Sequence, residues 1–373
     1  MWINKKMKVL ILINNDIGLY NFRKELIQTL IQKNVHIDIA LPYGERIKDL
    51  KSLGCIYHNI KIDRRGMNPF KDSLMLVKYI KLLHKTTPDV VLTYTIKPNI
   101  YGGIACSICK KKYIANITGL GTAIENGGWK KILLLFLYKI ALKKSSCIFF
   151  QNQLNYKSFM SYGICRTKVK ILPGSGVNLK YHIFEEYPSP DSPIVILFIG
   201  RIMRDKGVNE FFEMAEQVKK EYPEVIFQMI GFYEENYKEK VSELQRRKII
   251  DYLGFQEDVR PFLKKCWAVI QPSYHEGLSN VLLEAGAHGR PLLASRVPGC
   301  QETFDEEISG LGFEVKSSLS MIKTVKHFIE LPYQKKREMG EAARKKVEKE
   351  YNREIVIQEY LHEIKSCTEK RIN

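Results

Sequence analysis

No stretch of this sequence is apolar over the roughly 20 residues that a spanning helix needs, and the first apolar run, residues 9–13, is too short for the core of a secretory signal. A membrane-embedded or secreted protein is therefore not expected, and the chain reads as cytoplasmic. Its eight cysteines are scattered. Cys106 and Cys109 form the one close pair, and no second pair stands at zinc spacing, so the cysteines read as reduced packing residues. A G-x-G-x-x-G turn is absent, as is a suitably placed D-x-D cluster of carboxylates, and no metal or other cofactor is expected. Acidic residues are also in short supply: 41 Asp and Glu face 59 Lys and Arg, a formal charge of +18 with pI near 9.3. That excess calls for a polyanionic partner. Nucleic acid is disfavoured, because there is no finger, RNA-binding aromatic signature or basic arm, and the better match is an anionic membrane face or a lipid phosphate.

What is present is globular, with 45% hydrophobic and 27% charged residues. At 373 residues the chain fits two domains. Short continuous apolar runs (residues 8–13, 36–41, 55–62, 90–94, 113–117, 147–150, 169–172) alternate with helical patterns, among them one at about 70–84. This is the signature of parallel strands joined by crossover helices. The pattern repeats after Tyr187-Pro-Ser-Pro-Asp-Ser-Pro193, the clearest linker by composition, with strands expected at 194–199, 225–230, 249–253, 267–271 and 291–294. A charged helical segment from Lys335 to about Ile364 closes the chain.

The stretch Gln271-Pro-Ser-Tyr-His-Glu-Gly-Leu-Ser-Asn-Val-Leu-Leu-Glu284 follows one of these strands and opens a helix. Ser279 or Asn280 can cap that helix, whose first-turn backbone N–H groups and positive dipole end would seat an anion such as a diphosphate, with Gly277 to Val281 at the donor. Glu276 lies in the loop, and Glu284 about one turn into the helix. Carboxylates are common near helix starts for structural reasons alone. Two of them at an anion site suit a phosphate flanked on both sides by hydroxyl-rich groups. A second motif, Gly200-Arg-Ile-Met-Arg-Asp-Lys-Gly207, places Arg201 and Lys206 in another strand-to-helix turn, where two cations could clamp the same diphosphate.

With both motifs in this order, the chain resembles the family 4 retaining glycosyltransferases of the GT-B fold over nearly its whole length. Glu276 and Glu284 match their E-x(7)-E signature, and Arg201 and Lys206 their R-x(4)-K pair. The resemblance implies an α/β fold of GT-B architecture, two Rossmann-like domains facing each other across a cleft. Residues 1–185 would bind the acceptor, 194–350 would bind the nucleotide sugar, and a C-terminal helix in 351–373 would return to the first domain. It implies a hexosyltransferase that moves sugar from a nucleotide-sugar donor, a UDP-sugar above all, to a glycan or polyprenyl-diphosphate-linked acceptor in bacterial surface polysaccharide (capsule or lipopolysaccharide) synthesis. Lys206 and Arg201 would stabilise the departing diphosphate, Glu276 would hold the sugar and Glu284 the ribose. Leu278 would line the donor site, Phe232 or Phe255 would stack on the base, and the loop at Gly18 would form the cleft floor.

At the carboxyl ends of the first-domain strands, where ligands of such sheets bind, stand Asn21 and Arg23, then Lys97 and Asn99, then Thr118 and Gly119. Two cations there suit a phosphate-bearing acceptor. Residues 129–144 form a helix apolar nearly all round, begun by Trp129 and flanked by lysines, which reads either as a core helix or as one lying on anionic lipid. A peripheral place on the inner face of the cytoplasmic membrane follows from the second reading. The rival functions are a sugar-nucleotide epimerase of the same architecture and a non-enzymatic, membrane-associated polyanion-binding protein.

Overall fold

The computed structural model describes residues 7–63, 68–117 and 128–369. The chain divides into two compact units, residues 1–175 with 355–373, and residues 176–354.

The first unit is built on a seven-stranded parallel sheet: β1 (Lys8–Leu12), β2 (His36–Leu41), β3 (Ile56–Asn59), β4 (Val90–Tyr94), β5 (Lys112–Ile117), β6 (Cys147–Phe150) and β7 (Val169–Ile171). They lie in the order β3-β2-β1-β4-β5-β6-β7, so the winding reverses between β1 and β4. On one face pack α1 (Asp16–Gln32), α2 (Ile47–Ser52) and the terminal helix. On the other pack α3 (Pro69–Thr86), α4 (Gly103–Ile108), α5 (Gly128–Leu142) and α6 (Gln153–Ser161). β1 is apolar on both faces because helices cover both, and Val9, Leu10, Ile11 and Leu12 are each 0% exposed.

The second unit has a six-stranded parallel sheet, ordered β10-β9-β8-β11-β12-β13. Its strands are β8 (Val195–Ile199), β9 (Ile226–Ile230), β10 (Asp251–Tyr252), β11 (Ala268–Gln271), β12 (Leu292–Ser295) and β13 (Gly310–Phe313), the last not anticipated. Its helices are α7 (Val208–Glu221), α8 (Lys238–Arg246), α9 (Arg260–Lys265), α10 (Asn280–Ala287), α11 (Pro298–Gln301), α12 (Ser318–Glu330) and α13 (Tyr333–Glu350). The charged C-terminal segment is two helices rather than one, since α13 stops at Glu350 and α14 (Arg353–Glu369) follows. From residue 355, α14 packs in the first unit. Tyr360 meets Phe149 edge-on at 4.9 Å and bonds Asn116 Oδ1, and Glu363 takes Lys168 at 2.6 Å and Lys170 at 3.0 Å.

The expected linker at 187–193 needs correction. It lies inside the second unit, which begins at Gly176. Tyr187 stacks against Trp267 and Tyr333 and donates its hydroxyl to Trp267 O at 2.8 Å. Just ahead of it, the wholly buried Arg290 donates to Glu185 O and Glu186 O, and also to Leu263 O and Lys264 O. A guanidinium with five donors in a fixed plane ties these carbonyls together, so the chain entering residues 187–193 is anchored to the second unit.

Candidate functional site

In the second unit the two motif turns are brought into contact by glycine. Gly207, at φ 70°, ends the short 3₁₀ turn Arg204–Lys206, and a Cβ there would stand 2.1 Å from Pro272 O. Only glycine lets the backbones approach so closely. Tyr274 N then donates to Asp205 O at 2.9 Å, closing the turn onto the loop after β11. The consequence is an ion pair between Lys206 Nζ and Glu276 Oε1, with the two side chains 17% and 16% exposed. Glu276 Oε1 also accepts from Ser273 Oγ at 2.8 Å, and Ser273 Oγ accepts from Gln271 Nε2 at 2.7 Å. The cation assigned to the phosphates and the carboxylate assigned to the sugar are thus partners, a coupling that the separate motifs did not reveal.

α10 begins at Asn280 with Ser279 as its cap, the Ser279 side chain accepting from Leu282 N at 3.3 Å. Ser279 N donates to Gly299 O at 2.8 Å, and a Cβ on Gly299 would lie 2.4 Å from Glu276 O. The loop is therefore pressed against α11 on its far side. Gly277 and Asn280 are half-buried at the helix start, beside Val281. Leu278, by contrast, is core: it packs with Val177, Leu283, Val347 and Tyr351, leaving only its backbone for a ligand.

Glu284 is half-buried, and burial pushes its carboxyl up to about 7 against the pull of Arg353. His182 Nε2 stands 4.0 Å from its Oε1, and His182 Nδ1 meets His288 Nε2 at 3.3 Å. Burial lowers His182 to about 3 and His288 to about 4, so both imidazoles are neutral near pH 7. Neither histidine was anticipated; they come from the segment that read as a domain end and from the C-cap of α10. Arg201 is half-exposed and 3.7 Å from Glu234, so it too has a carboxylate partner. Phe232 and Phe255, 46% and 61% exposed, meet at 6.1 Å in a T-shaped pair beyond β9 and β10. Large exposed aromatics in mutual contact form an apolar platform suited to a flat ring.

The first unit revises the acceptor-side expectations. Arg23 is only 5% exposed; its guanidinium lies over the rings of Tyr94 at 5.1 Å and Tyr360 at 5.6 Å and donates to Phe22 O at 2.7 Å. It is a core cation rather than one facing a ligand. Lys97 is paired with Asp72 at 2.7 Å, and Tyr101 donates to the other oxygen of that carboxylate at 3.2 Å, so its charge is locally balanced. Asn99 is buried, accepting from Thr93 Oγ1 and donating to Asn116 O. Gly18 N donates to Asn15 Oδ1 at 2.6 Å, capping α1, and its amide is not open to a donor. Asn21 is exposed on α1. Thr118 and Gly119 lie outside the described residues. Thr95, just after β4, has φ 68°, a strained value for a β-branched residue, and such strain gathers at functional sites.

α5 is neither all core nor all surface. Leu134, Tyr138, Ala141 and Leu142 are buried, while Trp129, Ile132, Phe136 and Ile140 are exposed at helical spacing beside Lys130, Lys139, Lys143 and Lys144. α3 repeats the arrangement on the same sheet face, with Phe70, Leu74 and Val77 exposed among Lys71, Lys78 and Lys81. No helix among the described residues is long and apolar enough to cross a membrane, and no group of three or more metal-ligating side chains occurs among them.

Two family models match this chain: "Glycosyl transferase 4-like" over residues 8–152 and "Glycosyl transferases group 1" over residues 180–346. A Campylobacter jejuni protein, the N,N'-diacetylbacillosaminyl-diphospho-undecaprenol alpha-1,3-N-acetylgalactosaminyltransferase, is 26% identical over 343 residues, covering 87% of this chain and 90% of that one. An Escherichia coli UDP-Gal:alpha-D-GlcNAc-diphosphoundecaprenol alpha-1,3-galactosyltransferase is 24% identical over 282 residues, 70% of this chain and 71% of its own. Among solved structures, a glycosyltransferase from Rickettsia africae superposes with a TM-score of 0.78 at 16% identity, covering 97% of this chain and 99% of that one. The two parallel-sheet units are thus those of a GT-B glycosyltransferase.

Proposed function

Since the chain belongs to the glycosyltransferases in which a 4-like domain precedes a group 1 domain, we propose that it transfers a hexose or N-acetylhexosamine from a UDP-sugar, with retention, to a polyprenyl-diphosphate-linked glycan at the inner face of the cytoplasmic membrane. The observation that carries the donor half is the Lys206–Glu276 pair beside the start of α10. An arriving diphosphate is a stronger anion than one carboxylate and competes for Lys206. Its oxygens also meet the α10 amides and Arg201. Glu276, released from Lys206, accepts from the sugar hydroxyls while positive charge develops at the anomeric carbon. Negative charge grows on the leaving phosphate, where Lys206 and the helix end are worth most. Glu284 accepts from the ribose hydroxyls, and Phe232 with Phe255 flank the base.

Retention is supported by chemistry rather than by a visible nucleophile. UDP-hexoses of this class are α-linked, and both relatives are named for alpha products, so a like reaction keeps the configuration. Attack on the face of departure follows, with the leaving phosphate accepting the acceptor's proton. The relatives' names carry diphospho-undecaprenol acceptors. The exposed apolar stripes of α3 and α5, edged by lysines, suit the anionic lipid surface in which such acceptors sit. Mass spectrometry of a polyprenyl-diphosphate-linked N-acetylhexosamine, incubated with UDP-sugars and protein, tests the proposal: one added sugar residue is expected. Conversion of donor alone to its epimer would refute it.

A further inference from the structure

We propose that Gln271 and Ser273 are positioning residues for Glu276, forming a one-way hydrogen-bond relay that turns one oxygen of its carboxylate inward and presents the other to the bound sugar. The inference rests on the reading of Glu276 as the sugar-holding group. A serine hydroxyl has one proton to donate. Gln271 Nε2 donates to Ser273 Oγ at 2.7 Å, which commits the serine as acceptor on that side, and its proton goes to Glu276 Oε1 at 2.8 Å. Lys206 is on the same Oε1. Both contacts fall on one oxygen, and Oε2 carries no such contact among the described residues.

The relay is held rigidly. Gln271 is 1% exposed at the end of β11, and Ser273 is 0% exposed, its carbonyl accepting from Ser295 Oγ at 2.5 Å. It is also held at a cost, because Gln271 Oε1 is buried without a hydrogen-bond partner. The opposite amide orientation would fill that acceptor with the serine proton. It would then leave the buried NH₂ unpaired and strip Glu276 of its donor. An unsatisfied buried acceptor on the last residue of β11 is thus explained by the direction it imposes, stability being given up for geometry at the site.

The test uses the full chain with Gln271→Met, Gln271→Glu, Ser273→Ala and Glu276→Ala. Folding is followed by thermal melting, UDP affinity by calorimetry, and turnover with UDP-galactose and UDP-N-acetylgalactosamine. Gln271→Met frees the serine proton and should lower turnover about tenfold. Gln271→Glu draws that proton away from Glu276 and should lower it about a hundredfold, the range typical of lost outer support. UDP affinity should be unchanged in both, and Gln271→Met should melt at or above the wild-type temperature. Ser273→Ala removes the relay's proton outright and should lower turnover with both donors as far as Gln271→Glu does, again with UDP affinity unchanged. Wild-type turnover in Ser273→Ala, or losses that track melting temperature and UDP affinity alike, overturn the relay. If Glu276→Ala itself keeps wild-type turnover, the assignment of Glu276 has failed, and the relay's role in donor use falls with it.

Discussion

Replacing Lys206 by alanine should separate catalysis from folding. The Lys206 ammonium pairs with Glu276, and each side chain keeps about one-sixth of its surface in solvent, 17% and 16%. Breaking a fully buried pair costs about 3–5 kcal/mol because it strands a charge. Here Glu276 keeps the Ser273 hydrogen bond at 2.8 Å and some water, so the loss should be about 1–2 kcal/mol. At about 2–4 °C per kcal/mol for a unit of this size, melting should fall by only a few degrees. On the proposed reading the transition state loses its Lys206 contact with the donor phosphate, an effect of about 3 kcal/mol or roughly 100–200-fold in kcat. Steady-state kinetics with a UDP-sugar and a polyprenyl-linked acceptor, beside a melting curve, reads both numbers. A folded variant with wild-type kcat would refute the phosphate role, and a turnover loss no larger than the stability loss predicts would refute the separation.

Glu284 supplies a pH dependence. Its carboxyl is raised to about 7, so between roughly pH 4.5 and 7 the folded chain holds a proton that the unfolded chain has released, and this site's contribution to stability is present at low pH and lost as pH rises. Glu284→Gln should therefore melt higher than wild type at pH 8, by at most about 3 kcal/mol, with the advantage gone at pH 5; an equal advantage at both would contradict the assignment. Glu284→Ala should weaken binding of free UDP, whereas Glu276→Ala should spare UDP and impair use of the whole donor, a split that calorimetry with UDP and UDP-sugar resolves. Replacing Lys130, Lys131, Lys143 and Lys144 by Gln should cut flotation with anionic vesicles by orders of magnitude, at about 1 kcal/mol per lysine, with UDP binding intact. A wild type that ignores such vesicles at low salt would remove the membrane from the account.

How much of this could be read from the residues depended on how local each signal was. Apolar runs such as Ile194 to Ile199 announce buried parallel strands by themselves. The spacing of Glu276 to Glu284, and of Arg201 to Lys206, needs only one loop each. Arg23 was misplaced although its helix gave the answer: Leu19, Arg23, Leu26 and Leu30 recur at helical spacing on one buried face of α1. A charged residue on that stripe is core. Lys97 could not be read alone, because Asp72 comes from another helix 25 positions earlier. The stretch 187–193 carries the composition of a linker, and only Arg290 and Trp267, far along the chain, make it structure. Gln271 and Ser273 stood within the motif itself, but hydrogen-bond direction is a property of three dimensions.

The central claim is sugar transfer from a nucleotide donor with retained configuration. The most direct measurement is NMR of the product formed from a UDP-hexose or UDP-N-acetylhexosamine and a water-soluble, short-chain polyprenyl-diphosphate N-acetylhexosamine. The anomeric coupling constant of the newly attached sugar reports the configuration. A single new α-linked residue, formed roughly 100-fold more slowly with Lys206→Ala, is the predicted result. A β-linked product would contradict retention, and an unmodified acceptor with every donor consumed or isomerised would contradict transfer itself.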